Sequence, residues 1–182
     1  MIILSIGTNI GDRKQNIKNA ITALNKIGIV TSISPIYSSE PWGFESENGF
    51  YNIALIIETS LSPLELLKET QRIEKELGRT TKTSTAYTDR IIDIDIIDYN
   101  NQIINYTKQD TEYEENISHP TPNSSYLTLP HPLMHKRNFV LYPLADIAPE
   151  WQHPTLKITA LELKKESIDS SIIHILNTSI TL

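Results

Sequence analysis

Two aspartates dominate the chemistry this sequence offers. In the stretch Asp89-Arg90-Ile91-Ile92-Asp93-Ile94-Asp95-Ile96-Ile97, Ile92, Ile94 and Ile96 alternate with Asp93 and Asp95. That is the period of a β-strand, so the isoleucines face one way and both carboxylates the other. By the rise per residue their Cα atoms stand about 7 Å apart, close enough to share a divalent ion or a closely spaced pair. Oxygen-only ligands suit Mg²⁺, which takes one or two carboxylates and fills its octahedron with water and phosphate oxygens. The competing reading is an amphipathic strand whose acidic face is simply solvated. Asp is depleted in strands, which makes two of them on one face of an isoleucine run unusual for a purely structural element.

Arg79 and Arg90 bracket the loop leading into that strand. A guanidinium presents a fixed fork of donors that matches phosphate oxygens, so arginines beside a Mg²⁺-type carboxylate pair point to a polyphosphate substrate. Taken singly, an arginine is more often explained by an ion pair with a nearby Glu or Asp. His131 lies between two prolines in Leu-Pro-His-Pro, which restrict the backbone and aim the ring. Histidine is the commonest acid–base side chain, although an isolated loop histidine is more often a surface residue. Arg137 follows closely and invites a joint phosphate-binding role. Trp42, Phe44, Phe50 and Phe139 flank loops, where a planar ligand would stack between two of them; core packing is the alternative for each.

The bulk composition narrows the function classes. A chain of 182 residues fits one domain, large enough to bury about 70% of its unfolded surface. With no cysteine there is no disulfide, thiolate metal site or cysteine nucleophile. The N-terminal run MIILSIGTNIGDR has no basic residue ahead of its short apolar stretch, so neither a signal peptide nor a membrane span is expected. The sequons at Asn105, Asn116, Asn123 and Asn177 then read as chance matches, and the expected location is the cytoplasm. A net charge of −6 argues against nucleic-acid binding. Arginine is sparse, at five residues, and three of them, Arg79, Arg90 and Arg137, sit beside the motifs above. An acidic chain that spends its guanidiniums this way reads as a small-anion binder.

The elements that must position these residues follow from periodicity. Residues 2–6 read as a strand running into a glycine turn with Asp12 as helix N-cap. Ile17, Ile21, Leu24 and Ile27 place an amphipathic helix over 13–27, stopped near Gly28. A second strand is expected over about 29–38, a polar loop over 39–49 and a third strand over 50–57. Ser62-Pro63-Leu64-Glu65 is a capping box with Pro at the first helical position, opening a helix that ends at Gly78. After a polar loop comes the Asp-bearing fourth strand, and Asn100-Asn101 reads as a hairpin turn into 102–106. The order β-α-β-β-α-β predicts an α+β, ferredoxin-like fold, an antiparallel sheet backed by two helices. Residues 107–126 read as a polar surface insertion. A short helix carries Arg137, Phe139, Leu141, Leu144 and Ile147, and the chain ends in an extension, 158–182, with one helix (158–166) and a weak Ile-rich tail.

The motifs GxN near the N-terminus, SSEPWG, FYN, QRIEKELGR, DRIIDIDII, LPHP and KRNFVLYPLADIAPE occur in this order. Together they resemble the 6-hydroxymethyl-7,8-dihydropterin pyrophosphokinase family of folate biosynthesis over residues 1 to about 157. The resemblance implies a ferredoxin-like fold, in agreement with the element order. It implies transfer of the β,γ-pyrophosphoryl group of ATP to the pterin hydroxymethyl oxygen, with release of AMP and two Mg²⁺ ions. On this chain Asp93 and Asp95 match the metal-binding carboxylates, Asp93 also lying at the substrate. Arg79, Arg90, His131 and Arg137 match positions on the triphosphate, and Gln71, Glu74, Ile96 and Thr128 further nucleotide contacts. Phe50 and Phe139 match an aromatic pair sandwiching the pterin, and Asn52 a reader of its edge. Ser39, Glu40 and Trp42 fall in the loop that contacts the pterin through its backbone. The expected catalytic set is Arg79, Arg90, Asp95, His131 and Arg137, in a chain expected to act as a monomer.

There are departures from the family pattern. Thr80 and Thr81 stand where a further arginine is common, Asp89 replaces a common proline, and both the insertion and the tail are long. Two other readings compete: a non-catalytic ferredoxin-like ligand-binding module, and a metal-dependent phosphohydrolase. A binding module has no use for Asp93, Asp95, His131 and Arg137 together, and a hydrolase leaves the aromatic pair unexplained.

Overall fold

The structure, a computed structural model, describes residues 1–79, 88–107 and 126–176. The expectations for Thr80 and Thr81, for most of the 107–126 insertion and for the last six residues lie outside the described residues. The elements are β1 (Ile2–Thr8), α1 (Arg13–Leu24), β2 (Ile29–Ile33), β3 (Tyr37–Ser39), β4 (Phe50–Glu58) and α2 (Pro63–Glu76). They continue as β5 (Asp93–Tyr99), β6 (Ile104–Tyr106), β7 (Leu127–Leu129), a 3₁₀ turn (Met134–Lys136), α3 (Asn138–Ile147), α4 (Ala160–Lys165) and β8 (Ile173–Ile175). The main sheet runs β5-β1-β4-β3-β8, with β2 also on β4, and its pairs are antiparallel. This is the ferredoxin-like arrangement: each βαβ unit is split by a strand of the other, leaving β1 central and β5 at an edge.

The two faces of the sheet carry separate cores. Ile2, Leu4 and Ile6 of β1 and Ile94 and Ile96 of β5 join Ile17, Leu24, Leu66 and Ile73 of α1 and α2. Ile3, Ala54 and Ile97 face the other way, against Val140, Leu141 and Leu144 of α3 and Trp151, Ala160 and Leu163 beyond it. Full burial of each such aliphatic side chain contributes roughly 1.5–3 kcal/mol. The two helices read from the sequence therefore back only one face; residues after 126 supply the cover for the second.

The caps behave as read. Asp12 Oδ1 accepts from Gln15 N–H at 3.0 Å, and Ser62 and Glu65 form the reciprocal box. Four local expectations are corrected. α1 ends at Leu24, not 27, because Lys26 and Ile27 fold back in a tight turn onto the carbonyls of Ala23 and Leu24. Gly28 then lets the chain press on β4, where a Cβ would stand 2.5 Å from the Glu58 carbonyl oxygen. The strand expected over 29–38 is broken at Ser34-Pro35-Ile36, where the Ser34 hydroxyl accepts from Ala54 N–H at 3.0 Å in place of a ladder partner. Asn100 and Asn101 do form a turn, with φ of 53° and 56°. The strand after it, however, pairs with β7 in a two-stranded sheet instead of returning along β5. The Ile-rich tail becomes β8, an added strand on β3. Among the described residues no helix is long and apolar enough to cross a membrane.

Candidate active site

A cleft of about 700 Å³ opens where β5 forms the edge of the sheet. Its floor is Ser5 and Gly7 of β1 with Asp93 and Asp95 of β5, side by side because Ser5 pairs with Asp95 and Gly7 with Asp93. α2 forms one wall, with Gln71, Glu74 and Lys75. The opposite wall is His131 and Leu133, ahead of the 3₁₀ turn, with Arg137 and Phe139 at the start of α3, and the third side is Ser39, Glu40, Trp42, Phe44, Phe50 and Asn52. Every site residue singled out from the sequence lines this cleft except Ile96 and Thr128. The Ile96 side chain is buried in the core beneath α2, and the Thr128 hydroxyl on β7 meets the Asn105 side chain at 3.2 Å.

The charges interlock. Arg79 Nη1 lies 2.6 Å from Asp93 Oδ1 and also pairs with Glu74, while Arg90 holds Asp93 Oδ2. Glu74 Oε1 accepts the edge N–H of Ile94 at 2.6 Å, tying α2 to the strand. Burial pushes the Glu74 carboxyl up to about 7, against the pull of Arg79 and with repulsion from Asp93. Burial and then the Asp93 charge push Asp95 up to about 7 as well, opposed by Arg137, Arg79 and Arg90. Asp95 makes no ion pair among the described residues. Three of the chain's five arginines thus reach one cleft; Arg72 is spent on exposed pairs with Glu69 and Glu76.

His131 is held by its backbone N–H to the Ile97 carbonyl at 2.9 Å and by Nδ1 accepting from Leu133 N–H at 3.2 Å. The remaining ring proton therefore sits on Nε2. Burial, then Arg137, lowers its pKa to about 4, so the ring is neutral near pH 7 and offers an N–H donor instead of a cation. A histidine with a depressed folded pKa binds protons more readily unfolded. Its contribution to stability is therefore complete above about 6.5 and lost as pH falls toward 4. Imidazole NMR of the ligand-free protein is expected to show His131 titrating below pH 5; a midpoint near 6.5 would remove this reading.

The aromatic side is organised around cations. Arg137, only 5% exposed, lies with Cζ 4.6 Å from the Trp42 ring centroid and 5.6 Å from that of Phe139. Arg90 sits 5.6 Å over Phe50, which Phe44 meets edge-on at 6.1 Å. Asn52 is buried and donates to Ser39 Oγ at 2.9 Å. Its Oδ1 turns toward Gly7, where a Cβ would come within 3.3 Å.

The loop between β3 and β4 is pinned at its far end. Asp89 accepts from Asn9 Nδ2 and from Asn48 Nδ2, each at 2.7 Å, and Asn9 Nδ2 also reaches the Asn48 carbonyl at 3.2 Å. Asn9 Oδ1 accepts Arg90 N–H at 2.7 Å, and Arg13 holds the Gly49 carbonyl at 2.6 Å. Asp89 thus clasps the loop before Phe50 to the segment that carries Arg90. Asp89→Ala is expected to raise the apparent KM for the stacking substrate by about threefold to tenfold through lost hydrogen bonds. It should also speed amide exchange at Asn48 and Gly49; unchanged exchange at both would refute the clasp.

Ser5, Gly7, Leu67, Lys75, Ile94, Tyr126 and Leu133 also line the cleft without having been assigned there from the sequence. For Ser5 and Gly7 the signal was present: they are the non-aliphatic residues in the alternation of β1, as Asp93 and Asp95 are in β5. Lys75 and Leu67 had no local signal, since only the packing of α2 against β5 turns that helix face to the cleft.

The family model for 7,8-dihydro-6-hydroxymethylpterin-pyrophosphokinase matches residues 3–149. The 2-amino-4-hydroxy-6-hydroxymethyldihydropteridine pyrophosphokinase of Porphyromonas gingivalis is 39% identical over 156 residues, 85% of this chain and 94% of that protein. The one from Aquifex aeolicus is 36% identical over 166 residues, 91% of each chain. The folic acid synthesis protein FOL1 of Dictyostelium discoideum is 39% identical over 96% of this chain, which spans only 23% of that longer protein. A solved Plasmodium falciparum HPPK-DHPS structure superposes with a TM-score of 0.69 at 18% identity, over 91% of this chain and 44% of that one, and bears on the fold alone. The chain therefore belongs to the 7,8-dihydro-6-hydroxymethylpterin-pyrophosphokinase family, the pyrophosphokinases of folate synthesis.

Proposed function

We propose that this cleft moves the β,γ-pyrophosphoryl group of ATP onto the hydroxymethyl oxygen of 6-hydroxymethyl-7,8-dihydropterin. The hydroxymethyl oxygen bonds to the β-phosphorus, the bond from that phosphorus to the oxygen bridging to the α-phosphate breaks, and AMP and the hydroxyl proton leave. One observation carries the reading: a carboxylate pair, three arginines and an aromatic-walled recess share one cleft. Such transfer needs positioning and charge neutralisation more than covalent help from the protein.

The donor set fits Mg²⁺. Asp93 and Asp95 offer only oxygens, donors suited to an ion completed by phosphate and water. Burial already strains the ionised form of Asp95, which a divalent cation would relieve. The family's two Mg²⁺ ions, when bound, would neutralise phosphate charge and lower the barrier to losing the hydroxyl proton.

The chain's own residues do the rest. Arg79 and Arg90 exchange their pairs with Asp93 for phosphate oxygens, freeing that carboxylate for a cation. Arg137 and the Nε2–H of His131 take charge developing on the departing phosphate. In its ionised form the Asp95 carboxylate, whose proton affinity burial raises, receives the hydroxyl proton. Phe50 and Phe139 stack the pterin, Asn52 reads its edge, and Ser39, Glu40 and Trp42 close that side. Gln71 and Glu74 border the nucleoside, with Thr128 through its hydroxyl and Ile96 through backbone groups at the strand edge. The reading is of a cytoplasmic monomer acting on small molecules, with neither nucleic acid nor membrane as partner.

Purified protein mixed with ATP, Mg²⁺ and the pterin is expected to release AMP only when pterin is present, and EDTA should abolish the release. Pterin-independent ADP or phosphate would indicate a hydrolase instead. Pterin binding without turnover would indicate a non-catalytic module.

A further inference from the structure

α3 begins badly by its own sequence. Its N-cap is Arg137, which offers no side-chain acceptor to the first turn and places a cation at the positive end of the helix. The missing acceptor comes from the C-terminal extension, outside residues 3–149 of the family match. Asp169 Oδ2 accepts the N–H of Asn138, the first residue of α3, at 2.7 Å. Asn138 Nδ2 in turn donates to the carbonyls of Asp169 at 2.7 Å and Ser171 at 3.2 Å. The other Asp169 oxygen accepts from Ser171 N–H at 3.0 Å, so the carboxylate is fixed from both sides. Four residues on, the same segment becomes β8 and pairs Ile173 with Ser39, at the root of the loop that carries Glu40 and Trp42.

We infer that Asp169 is a positioning residue for the reaction, a cap supplied by a distant segment of the same chain that fixes Arg137 and Phe139 against the Ser39–Trp42 side of the cleft. The extension is thus a strap joining two walls of the active site. Arg137 and Phe139 flank the capped residue directly, so freeing the first turn of α3 displaces both the phosphate-side guanidinium and the pterin-side ring. This inference rests on the pyrophosphokinase reading and adds to it a part for residues beyond the matched region.

The test is steady-state AMP release by the full-length chain carrying Asp169→Ala, Asp169→Asn and Asn138→Ala, with thermal melting alongside. Asp169→Ala is expected to raise the apparent KM for the pterin by about tenfold, which is about 1.4 kcal/mol, while it stays folded at the assay temperature. Asp169→Asn keeps an oxygen for the Asn138 N–H but loses the acceptor for the Ser171 N–H, and should give a KM between those of the parent and Asp169→Ala. Asn138→Ala should raise KM in the same direction, and combining it with Asp169→Ala should add less than the sum, since both break one network. A lower melting temperature with unchanged KM in the alanine variants would overturn the inference, as would Asp169→Asn behaving like Asp169→Ala. If Asp169→Ala does not fold, the KM of Asn138→Ala decides alone. Absence of pterin-dependent AMP release by the parent chain would instead refute the activity itself.

Discussion

Asp95→Ala is expected to cut pterin-dependent AMP release by about a thousandfold, the scale seen when a preorganised electrostatic contact is removed from a transition state. Asp95 is the carboxylate of the strand pair that no arginine has claimed among the described residues, whereas both oxygens of Asp93 are engaged. Burial and the Asp93 charge disfavour its ionised form. Two results should separate its chemistry from its architecture. A group whose folded pKa is raised stabilises the fold below its unfolded value and loses that contribution as pH climbs toward about 7. The ligand-free variant should therefore gain in melting temperature relative to the parent as pH rises from 5 to 8. Adding Mg²⁺ with ATP should stabilise the parent increasingly over the same range, and the variant much less. An activity within tenfold of the parent would remove Asp95 from the mechanism.

Arg137→Ala should cost about a hundredfold in kcat/KM, and Arg137→Lys should recover little of it. The guanidinium is buried and stacked between Trp42 and Phe139. An ammonium has neither the planar faces nor the fork to replace it there. The loss has an electrostatic signature as well. Arg137 lowers the His131 pKa and opposes the rise of Asp95, so removing it should move both upward. Burial remains the larger influence on His131, and its midpoint should therefore stay below the ordinary value. Imidazole NMR on Arg137→Ala tests this directly: an unmoved His131 would show that the two side chains do not share the cleft as described. Recovery of full activity by lysine would show that charge alone matters.

Much of this was legible from local pattern. The alternation around Asp93 and Asp95 placed two carboxylates on one face, because the period of a strand is fixed by backbone geometry. The helix starts at Asp12 and Ser62 were equally legible, since a cap is a contact between residues three apart. The order of elements then led to the ferredoxin-like sheet, which the pairing of β1 with both β4 and β5 realises. What failed locally failed where distant partners compete. Residues 29–38 have the composition of one strand, but Ser34 finds a better partner in Ala54 than a continuous ladder supplies. Residues 104–106 follow a good hairpin turn and still leave β5 for β7.

The sequence by itself determined which carboxylates, guanidiniums and aromatic rings the chain offers, and that Asp93 and Asp95 share one strand face. Only the tertiary structure decided that Arg79 and Arg90 converge on Asp93 from opposite ends of a loop, and that Arg137 arrives from a helix on the other face of the sheet. It also decided that Asp169 caps that helix from beyond the family motifs. The physical reason is range. Periodicity, caps and turns are set by neighbours a few residues apart, whereas ion pairs, burial and the pKa shifts they cause depend on which distant segments packing brings together.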